Sequence, residues 1–341
     1  MLDTAVLIGR FQPVHHGHLA LLQAALAQAR QVVVVVGSAH QARSPKNPFT
    51  WQERAALLRA ALPEAEQARL TVLPVRDYYD EPRWAQAVQQ AVQQAVAAHT
   101  TPGARIGLVG HFKDASSNYL RAFPGWELLR MERQGAIDAT AIRDAYFNSP
   151  AALAPLAEQM PASTLAWLAA FAQLPAYAAL QEEWQVLRAY RASWASAPYP
   201  PVFVTVDAVL RCQDRVLLIR RAHAPGKGLW ALPGGFLEPQ DTLWQSCLRE
   251  LQEETHWPLD AAAMQAALQA VRVFDHPGRS QRGRTVTHVH YFDLGAAALP
   301  PVRGGDDAAQ AQWQPIASLA ALEDAFFEDH FHVLRQFLPL G

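Results

Sequence analysis

The stretch TAVLIGRFQPVHHGHLALLQAALAQA, residues 4–29, passes from an apolar run through a turn bearing Gly, Pro and His into a segment with apolar residues at helical spacing. A short apolar run that leads into a helix-period pattern reads as a strand feeding a helix, the opening of a βαβ unit. Outward from it the alternation continues through VVVVVG, WQERAALLRAAL, LTVLPV, RWAQAVQQAVQQAV, RIGLVG and WELLRM, up to about Met131. Strands of this composition belong inside a parallel sheet, so the pattern predicts an α/β domain. Ligands of such sheets bind beyond the carboxyl ends of the strands, and the Gly, Arg and His residues of the opening stretch follow a strand.

From about residue 161 to 197 the chain is rich in Ala and Leu at helical spacing, until SAPYPP breaks the pattern. Beyond it, VFVTVDAVL and RVLLIRRA flank a CQD turn, a Gly-Gly loop leads into a helix, and VRVFD and THVHYFDL follow. That order predicts an α+β domain with a mixed sheet. The expected division is residues 1–190, a linker at 191–200, and residues 201–341. A length of 341 residues suits two domains of about 150 each.

The 29 basic and 31 acidic residues give a formal charge of −2, with no run of Lys or Arg to track a nucleic-acid backbone or an anionic membrane. Small nucleotides are the expected partners, and a homo-oligomer stays open. Cys212 and Cys247 lack metal or disulfide spacing, which suits a reducing compartment and two buried apolar side chains. The N-terminus enters an apolar strand without a basic leader, and no apolar run nears the roughly 20 residues of a membrane span. A cytoplasmic location is the expectation.

Gly9 and Arg10 end the first strand, and Gly17 and His18 open the first helix, so His15 and His18 stand one turn apart at a helix N-terminus. That end of a helix attracts phosphate, and two imidazoles there can donate hydrogen bonds to phosphoryl oxygens. Nucleotidyl transfer asks chiefly for such positioning and charge stabilisation, without a nucleophilic side chain.

Through GRFQPVHHGH, GSAHQARSPKNPFTWQER and IDATAIR, the first part of the chain resembles the HxGH nucleotidylyltransferases, and among them the archaeal-type nicotinamide mononucleotide (NMN) adenylyltransferases. The resemblance covers about residues 3–150 and implies a Rossmann-like fold and the transfer of AMP from ATP to NMN, giving NAD and pyrophosphate with Mg²⁺ assisting. It assigns His15 and His18 to the ATP phosphates, with Gly9 and Arg10 beside them. It places Lys46 as a basic phosphate-binding residue, and Thr140 and Arg143 in a second phosphate signature at another helix N-terminus. Asp138 replaces the Ser of that signature and is expected to cap the helix. Trp84 stands where the family stacks the nicotinamide ring, although a core Trp on an Ala-rich helix fits equally. Gly110 and His111 follow the fourth strand and are positioned to meet the adenosine part, or to form a structural loop.

In GGFLEPQDTLWQSCLRELQEETHW, residues 234–257, Glu250, Glu253 and Glu254 fall at i, i+3 and i+4 on one helix face. Their mutual repulsion costs a few tenths of a kcal/mol, a cost that a divalent cation reverses. Oxygen ligands suit Mg²⁺ or Mn²⁺, and a water acidified by the metal is a nucleophile.

The stretch resembles the Nudix box, with Gly235, Arg249, Glu250, Leu251, Glu253 and Glu254 in register and Gly234 beside them. Asp241 stands for the first Glu of the box, in a supporting role that orients Arg249 or the helix. His256 stands for the final Gly, which would ease a left-handed exit, so that a non-Gly residue there threatens helix termination more than metal binding. DHPGRSQRGRTVTHVHYF and GGDDAAQAQW resemble segments of Nudix enzymes that hydrolyse ADP-ribose. That likeness turns Arg279, Arg282 and Arg284 toward a diphosphate or ribose and offers Asp306 or Asp307 as a further metal ligand or base; a solvated arginine-rich hairpin is the alternative. His276, His288 and His290 lack the spacing of a zinc site.

Together the two halves resemble the bifunctional NMN adenylyltransferase/Nudix hydrolases, which implies ATP, NMN and ADP-ribose as substrates and Mg²⁺, or Mn²⁺, as cofactor. Glu253 and Glu254 would then be both catalytic and metal-binding. Two alternatives remain: another acceptor, such as nicotinate mononucleotide or pantetheine phosphate, for the first half, and a ligand-sensing Nudix domain, or one cleaving another nucleoside diphosphate, for the second.

Overall fold

The computed structural model describes residues 1–97, 103–110, 121–131 and 138–340. They form two compact units, Met1–Gln181 and Glu182–Gly341, each built on one sheet.

In the first unit, β1 (Leu2–Gly9), β2 (Ala29–Val36), β3 (Leu70–Pro74), β4 (Ile106–Gly110) and β5 (Glu127–Arg130) pair in the order β3-β2-β1-β4-β5, all parallel. The valine run of β2 shows why the sheet is sandwiched. Val32, Val34 and Val36 join a core with helices α1 (His16–Gln28) and α2 (Trp51–Ala60), while Val33 and Val35 join a second core on the opposite face. After the short α3 (Glu64–Gln67), α4 (Glu81–Ala97) fills that second face with Ala85, Val88, Val92 and Val96, a single apolar stripe at helical spacing. The predicted parallel α/β architecture is the one observed. Three further helices follow, α5 (Ala139–Asn148), α6 (Ala162–Phe171) and α7 (Pro175–Ser193).

The division between units falls within α7. Its first half belongs to the first unit, where the Tyr177 hydroxyl donates to the Tyr146 carbonyl at 2.7 Å and the Gln181 amide to the Phe147 carbonyl at 3.0 Å. Its second half belongs to the second unit, where Tyr190 and Trp194 pack against Phe203 and Glu183 accepts the Gly226 N–H at 3.1 Å. Helical periodicity alone does not reveal such a division, because one continuous pattern runs through two units. SAPYPP lies past the end of α7, ahead of the first strand of the second unit.

In that unit, β6 (Val202–Cys212), β7 (Arg215–Arg221), β8 (Trp230–Ala231), β9 (Gly234–Phe236), β10 (Leu268–Phe274), β11 (Arg284–Asp293) and β12 (Ala308–Pro315) form a mixed sheet. Its order is β10-β11-β6-β7-β12, with β8 added to β7 and β9 to β6; β6 and β11 run parallel and the other pairs antiparallel. Helix α8 (Leu243–Thr255) packs Cys247 and Leu251 on one face of the sheet, with Met264 of α9 (Ala261–Ala267) beside them. The other face is covered by Phe331, Val333 and Leu334 of α10 (His330–Leu334). Cys212 and Cys247 are both buried and free. Among the described residues, no single helix is long and apolar enough to cross a membrane.

Arg54 of α2 fixes the carboxyl edge of the parallel sheet. Only 1 % exposed, it donates through Nη1 to the Arg10 and Gly37 carbonyls at 2.7 and 2.8 Å. Nη2 reaches the Ser38 carbonyl at 3.2 Å, and Nε the Thr50 carbonyl at 3.2 Å. Burial lowers its pKa to about 10, so it stays charged at neutral pH. Arg54→Met takes the side-chain donor from the buried Gly37 and Ser38 contacts and from Arg10, and should destabilise the first unit by about 3 kcal/mol. Chemical denaturation of the full chain measures this, and a wild-type midpoint in the variant would contradict it.

Candidate functional site

The loop between β1 and α1 is held from three sides. The Gln12 amide exchanges two hydrogen bonds with the Phe49 backbone, at 2.9 and 3.0 Å, which ties the loop to the NPFT segment that follows Lys46. Arg54 holds the Arg10 carbonyl, and Arg143 of α5 donates through Nη1 to the Gln12 carbonyl at 2.7 Å. Nη2 of Arg143 reaches the Thr140 hydroxyl at 3.2 Å. The loop at the head of α1 and the head of α5, predicted separately as phosphate-binding segments, thus meet. Asp138 is the N-cap of α5, accepting from the Thr140 N–H at 2.9 Å, as its position suggested.

The rings of His15 and His18 stack with centroids 3.7 Å apart, and the His15 N–H points to Nδ1 of His18 at 3.4 Å. Gly17 makes room for this arrangement: a Cβ there would lie 3.1 Å from the His15 ring. Burial lowers the His15 pKa to about 4, against the opposing pull of Asp138. The ring is therefore neutral at neutral pH, and its Nδ1 is buried without a hydrogen-bond partner among the described residues. Burial also lowers Arg143 to about 10, with the nearby Arg10 charge adding to the effect, and leaves it protonated. A neutral histidine with an unused nitrogen and a desolvated cation, both at helix N-termini, make a cradle for phosphoryl oxygens.

Gly9 closes β1 and accepts the Gly37 N–H at 2.9 Å, and half-buried Lys46 sits in the loop that Gln12 anchors. Trp84, on α4, is half-buried and meets Phe123 edge-on at 6.0 Å against the second core. Gly110 ends β4, whereas His111 lies outside the described residues. Arg54 was not among the residues expected here; the buried-face position of a charged residue on α2 was the available signal.

In the second unit, Arg249 gathers the carboxylates of α8. It reaches Glu253 through Nη1 at 2.7 Å, Glu250 through Nη2 at 3.0 Å, and Asp241 through Nε at 3.3 Å. Asp241 also accepts the Ser246 hydroxyl at 3.0 Å. Burial opposes the Arg249 charge, but Glu250, Asp241 and Glu253 outweigh it and raise its pKa.

Both glycines ahead of the helix are closely confined, Gly234 by backbone and Gly235 by a side chain. A Cβ at Gly235 would come within 2.5 Å of the Glu250 carboxyl, and one at Gly234 within 2.2 Å of the Val206 carbonyl. The Gly234 N–H donates to Glu254 at 2.8 Å. Glu254 is 3 % exposed, and burial pushes its carboxyl well above the ordinary range, with Glu250 and Asp207 adding repulsion. Burial likewise raises Glu250 and Asp207.

Among the described residues, no three carboxylates or imidazoles converge in metal-binding geometry, because Glu250 and Glu253 turn to Arg249. The donor chemistry nonetheless fits a hard divalent cation: clustered carboxylate oxygens whose ionisation is opposed by burial and by one another.

The arginine-rich segment separates into distinct environments. Arg279 forms a buried bidentate pair with Asp329, 2.9 Å at both contacts, so its fork is spent within the fold. Burial pushes Asp329 up to about 6, and the guanidinium keeps it ionised at neutral pH. Arg282 lies over the Phe236 ring at 4.9 Å and 4.0 Å from Glu328, and its Nε is buried without a partner among the described residues. Arg284 turns back to the Asp275 carbonyl. Asp207, inside the apolar strand β6, accepts the Thr287 hydroxyl. A charged residue within VFVTVDAVL was a visible signal, although its role depends on partners distant in sequence. His288 and His290 lie on β11, and His276 in the turn before it.

Residues 6–144 match the cytidylyltransferase-like family and residues 201–337 the NUDIX domain. The first half is similar to the nicotinamide/nicotinic acid mononucleotide adenylyltransferase of Acinetobacter baylyi, 35 % identical over 184 residues, 54 % of this chain and 94 % of that protein. The second is similar to the ADP-ribose pyrophosphatase of Methanocaldococcus jannaschii, 31 % identical over 135 residues, 40 % of this chain and 72 % of that protein. Across 98 % of both chains, the fold matches a bifunctional NMN adenylyltransferase/ADP ribose pyrophosphatase from Francisella tularensis, solved with AMP and a Mn ion, at 33 % identity and a TM-score of 0.90. With both halves matched in sequence and the whole length matched in fold, the chain belongs to the family of bifunctional NMN adenylyltransferase/ADP-ribose pyrophosphatases.

Proposed function

We propose that the chain makes NAD from ATP and NMN in its N-terminal part, residues 1–190, and cleaves ADP-ribose to AMP and ribose 5-phosphate in residues 201–341. The observation that carries the first assignment is the buried, unpartnered Nδ1 of His15 at the end of the loop whose Gln12 carbonyl Arg143 holds, where two helix N-termini meet. An NMN phosphate oxygen attacks the α-phosphorus of ATP, the α–β bridging bond breaks, and pyrophosphate leaves. His15 and His18 donate hydrogen bonds to the phosphoryl oxygens, and Arg143, still protonated, offsets the charge that builds there. Gly9, Arg10, Lys46 and Thr140 line the same phosphate path, Trp84 takes the nicotinamide ring, and Gly110 and His111 take the adenosine. Nicotinate mononucleotide is a second acceptor, since the Acinetobacter baylyi relative is named for both.

For the hydrolase, the supporting observation is the trio Glu250, Glu254 and Asp207, whose carboxyl pKa values are all raised by burial. Glu250, Glu253 and Glu254 would hold the divalent cation, read as Mg²⁺ with Mn²⁺ as substitute. When bound, it supplies charge neutralisation and an acidified water. To hold the cation, Glu250 and Glu253 would have to leave Arg249, which Asp241 would still retain, while the Gly234 N–H would keep Glu254 oriented. Arg282, stacked on Phe236 with an unused Nε, is better placed than the paired Arg279 to meet the diphosphate. The free buried cysteines accord with a cytoplasmic setting.

The full chain, given ATP, NMN and Mg²⁺, should release NAD and pyrophosphate, and given ADP-ribose should release AMP and ribose 5-phosphate. Chromatography of the products decides. Turnover of pantetheine phosphate but of neither pyridine mononucleotide would overturn the first assignment, and inert ADP-ribose the second.

His15 adds a pH dependence. Its pKa is about 4 in the fold, against about 6.5 when unfolded. Between those values the unfolded chain binds a proton that the fold refuses, so the stability of the first unit falls as pH drops from 6.5 to 4, by up to about 1.4 kcal/mol per pH unit. Above 6.5 the contribution is flat. Denaturation midpoints measured across this range should fall less steeply in His15→Asn; parallel slopes would contradict the burial of a neutral ring.

A further inference from the structure

The Gln252 carbonyl takes the last helical hydrogen bond of α8, and those of Glu253, Glu254 and Thr255 have no continuing helix to satisfy them. Each nevertheless has a partner. The His256 N–H donates to Gln252 at 2.9 Å, and Nδ1 of His256 lies 3.2 Å from the Glu253 carbonyl, a hydrogen bond in the Nδ1–H tautomer. Glu254 and Thr255 receive N–H groups from a distant segment, Gly305 at 3.2 Å and Arg303 at 2.9 Å. His256 and the loop before β12 therefore share the end of the helix that carries Glu250, Glu253 and Glu254.

The two are shaped to each other. His256 adopts φ 51° and ψ 21°, the left-handed exit that Gly provides elsewhere and that His tolerates better than most residues. Its ring then lies flush on Gly305: a Cβ there would sit 1.9 Å from Cε1 of His256 and 2.6 Å from the Glu253 carbonyl. Gly304 is equally confined, with a Cβ falling 2.6 Å from the Ala308 carbonyl. The turn closes through the Ala308 N–H to the Gly305 carbonyl at 2.9 Å, and the Ala222 N–H holds the Asp307 carbonyl at 2.8 Å. At its tip, Asp306 stands near enough to Glu250 to oppose its ionisation, after the larger effect of burial.

We infer that His256 is a positioning residue: its imidazole clamps the Gly304–Gly305 turn onto the end of α8 and so fixes Asp306 relative to the glutamates that take the divalent cation. The inference rests on the pyrophosphatase reading of this unit. A Gly at position 256 would end the helix as well or better, but would leave the Glu253 carbonyl to water and the face of Gly305 uncovered.

The test uses the full chain without substrate, with Mn²⁺ binding read from the paramagnetic resonance of the free ion and metal-free melting followed in parallel. His256→Gly and His256→Asn both tolerate the left-handed exit and both remove the ring. They should weaken Mn²⁺ binding on the order of ten-fold while metal-free melting stays level or rises. Asp306→Asn should weaken binding in the wild-type background and add little in the His256→Gly background, because the two act through one arrangement. Wild-type Mn²⁺ affinity in both His256 variants, fully additive losses, or affinity lost only in step with a lowered melting temperature would each overturn the positioning role. A wild-type chain that binds no Mn²⁺ would instead remove the pyrophosphatase reading, and this inference with it.

Discussion

Charge taken out of water is the constraint on which both units turn. A buried ionised group is tolerated only when it is paired or its hydrogen bonds are filled, and otherwise it sheds its charge. In the first unit the buried charges are cations held by backbone: Arg54 by carbonyls at the ends of β1 and β2, Arg143 by the Gln12 carbonyl. In the second they are carboxylates and one arginine: Asp329 is answered by buried Arg279, while Glu254, Glu250 and Asp207 are pushed toward protonation by burial. The signs match the proposed ligands. Desolvated guanidinium groups suit a triphosphate, and crowded carboxylates suit a dication.

The same constraint accounts for the local geometry around each site. Gly234, confined by the Val206 carbonyl, lets a strand edge hydrogen-bond Glu254, and Gly235 leaves room for the Glu250 carboxyl beside it. Arg249 occupies the centre of three carboxylates and holds them apart from one another until a stronger cation competes. At His15 the solution is loss of charge: a neutral ring, stacked on His18, keeps one nitrogen in reserve.

Much of this was legible in the chain. The alternation of residues 4–131 specified a parallel sheet, since each valine of β2 has a face to fill, and the i, i+3, i+4 glutamates specified one helix face. The capping role of Asp138 followed from a local rule about helix ends, whereas His256, expected to threaten helix termination in place of Gly, keeps the left-handed exit. What escaped was non-local. The Arg279–Asp329 pair spans 50 residues and the Arg54 contacts reach back 44 to Arg10, and nothing in either segment names its partner. Helix α7 escaped for a related reason: its two halves belong to different units, while its periodicity is continuous.

The two assignments together require that one chain carry two chemically independent sites for pyrophosphate-bond chemistry. The most direct test assays NAD formation and ADP-ribose cleavage side by side in wild type, His18→Ala and Glu254→Gln, the last of which keeps an oxygen for the Gly234 N–H. His18→Ala should lose NAD formation on the order of 100-fold and retain ADP-ribose cleavage; Glu254→Gln should do the reverse. A single substitution that removes both activities, or two that remove neither, would contradict the account.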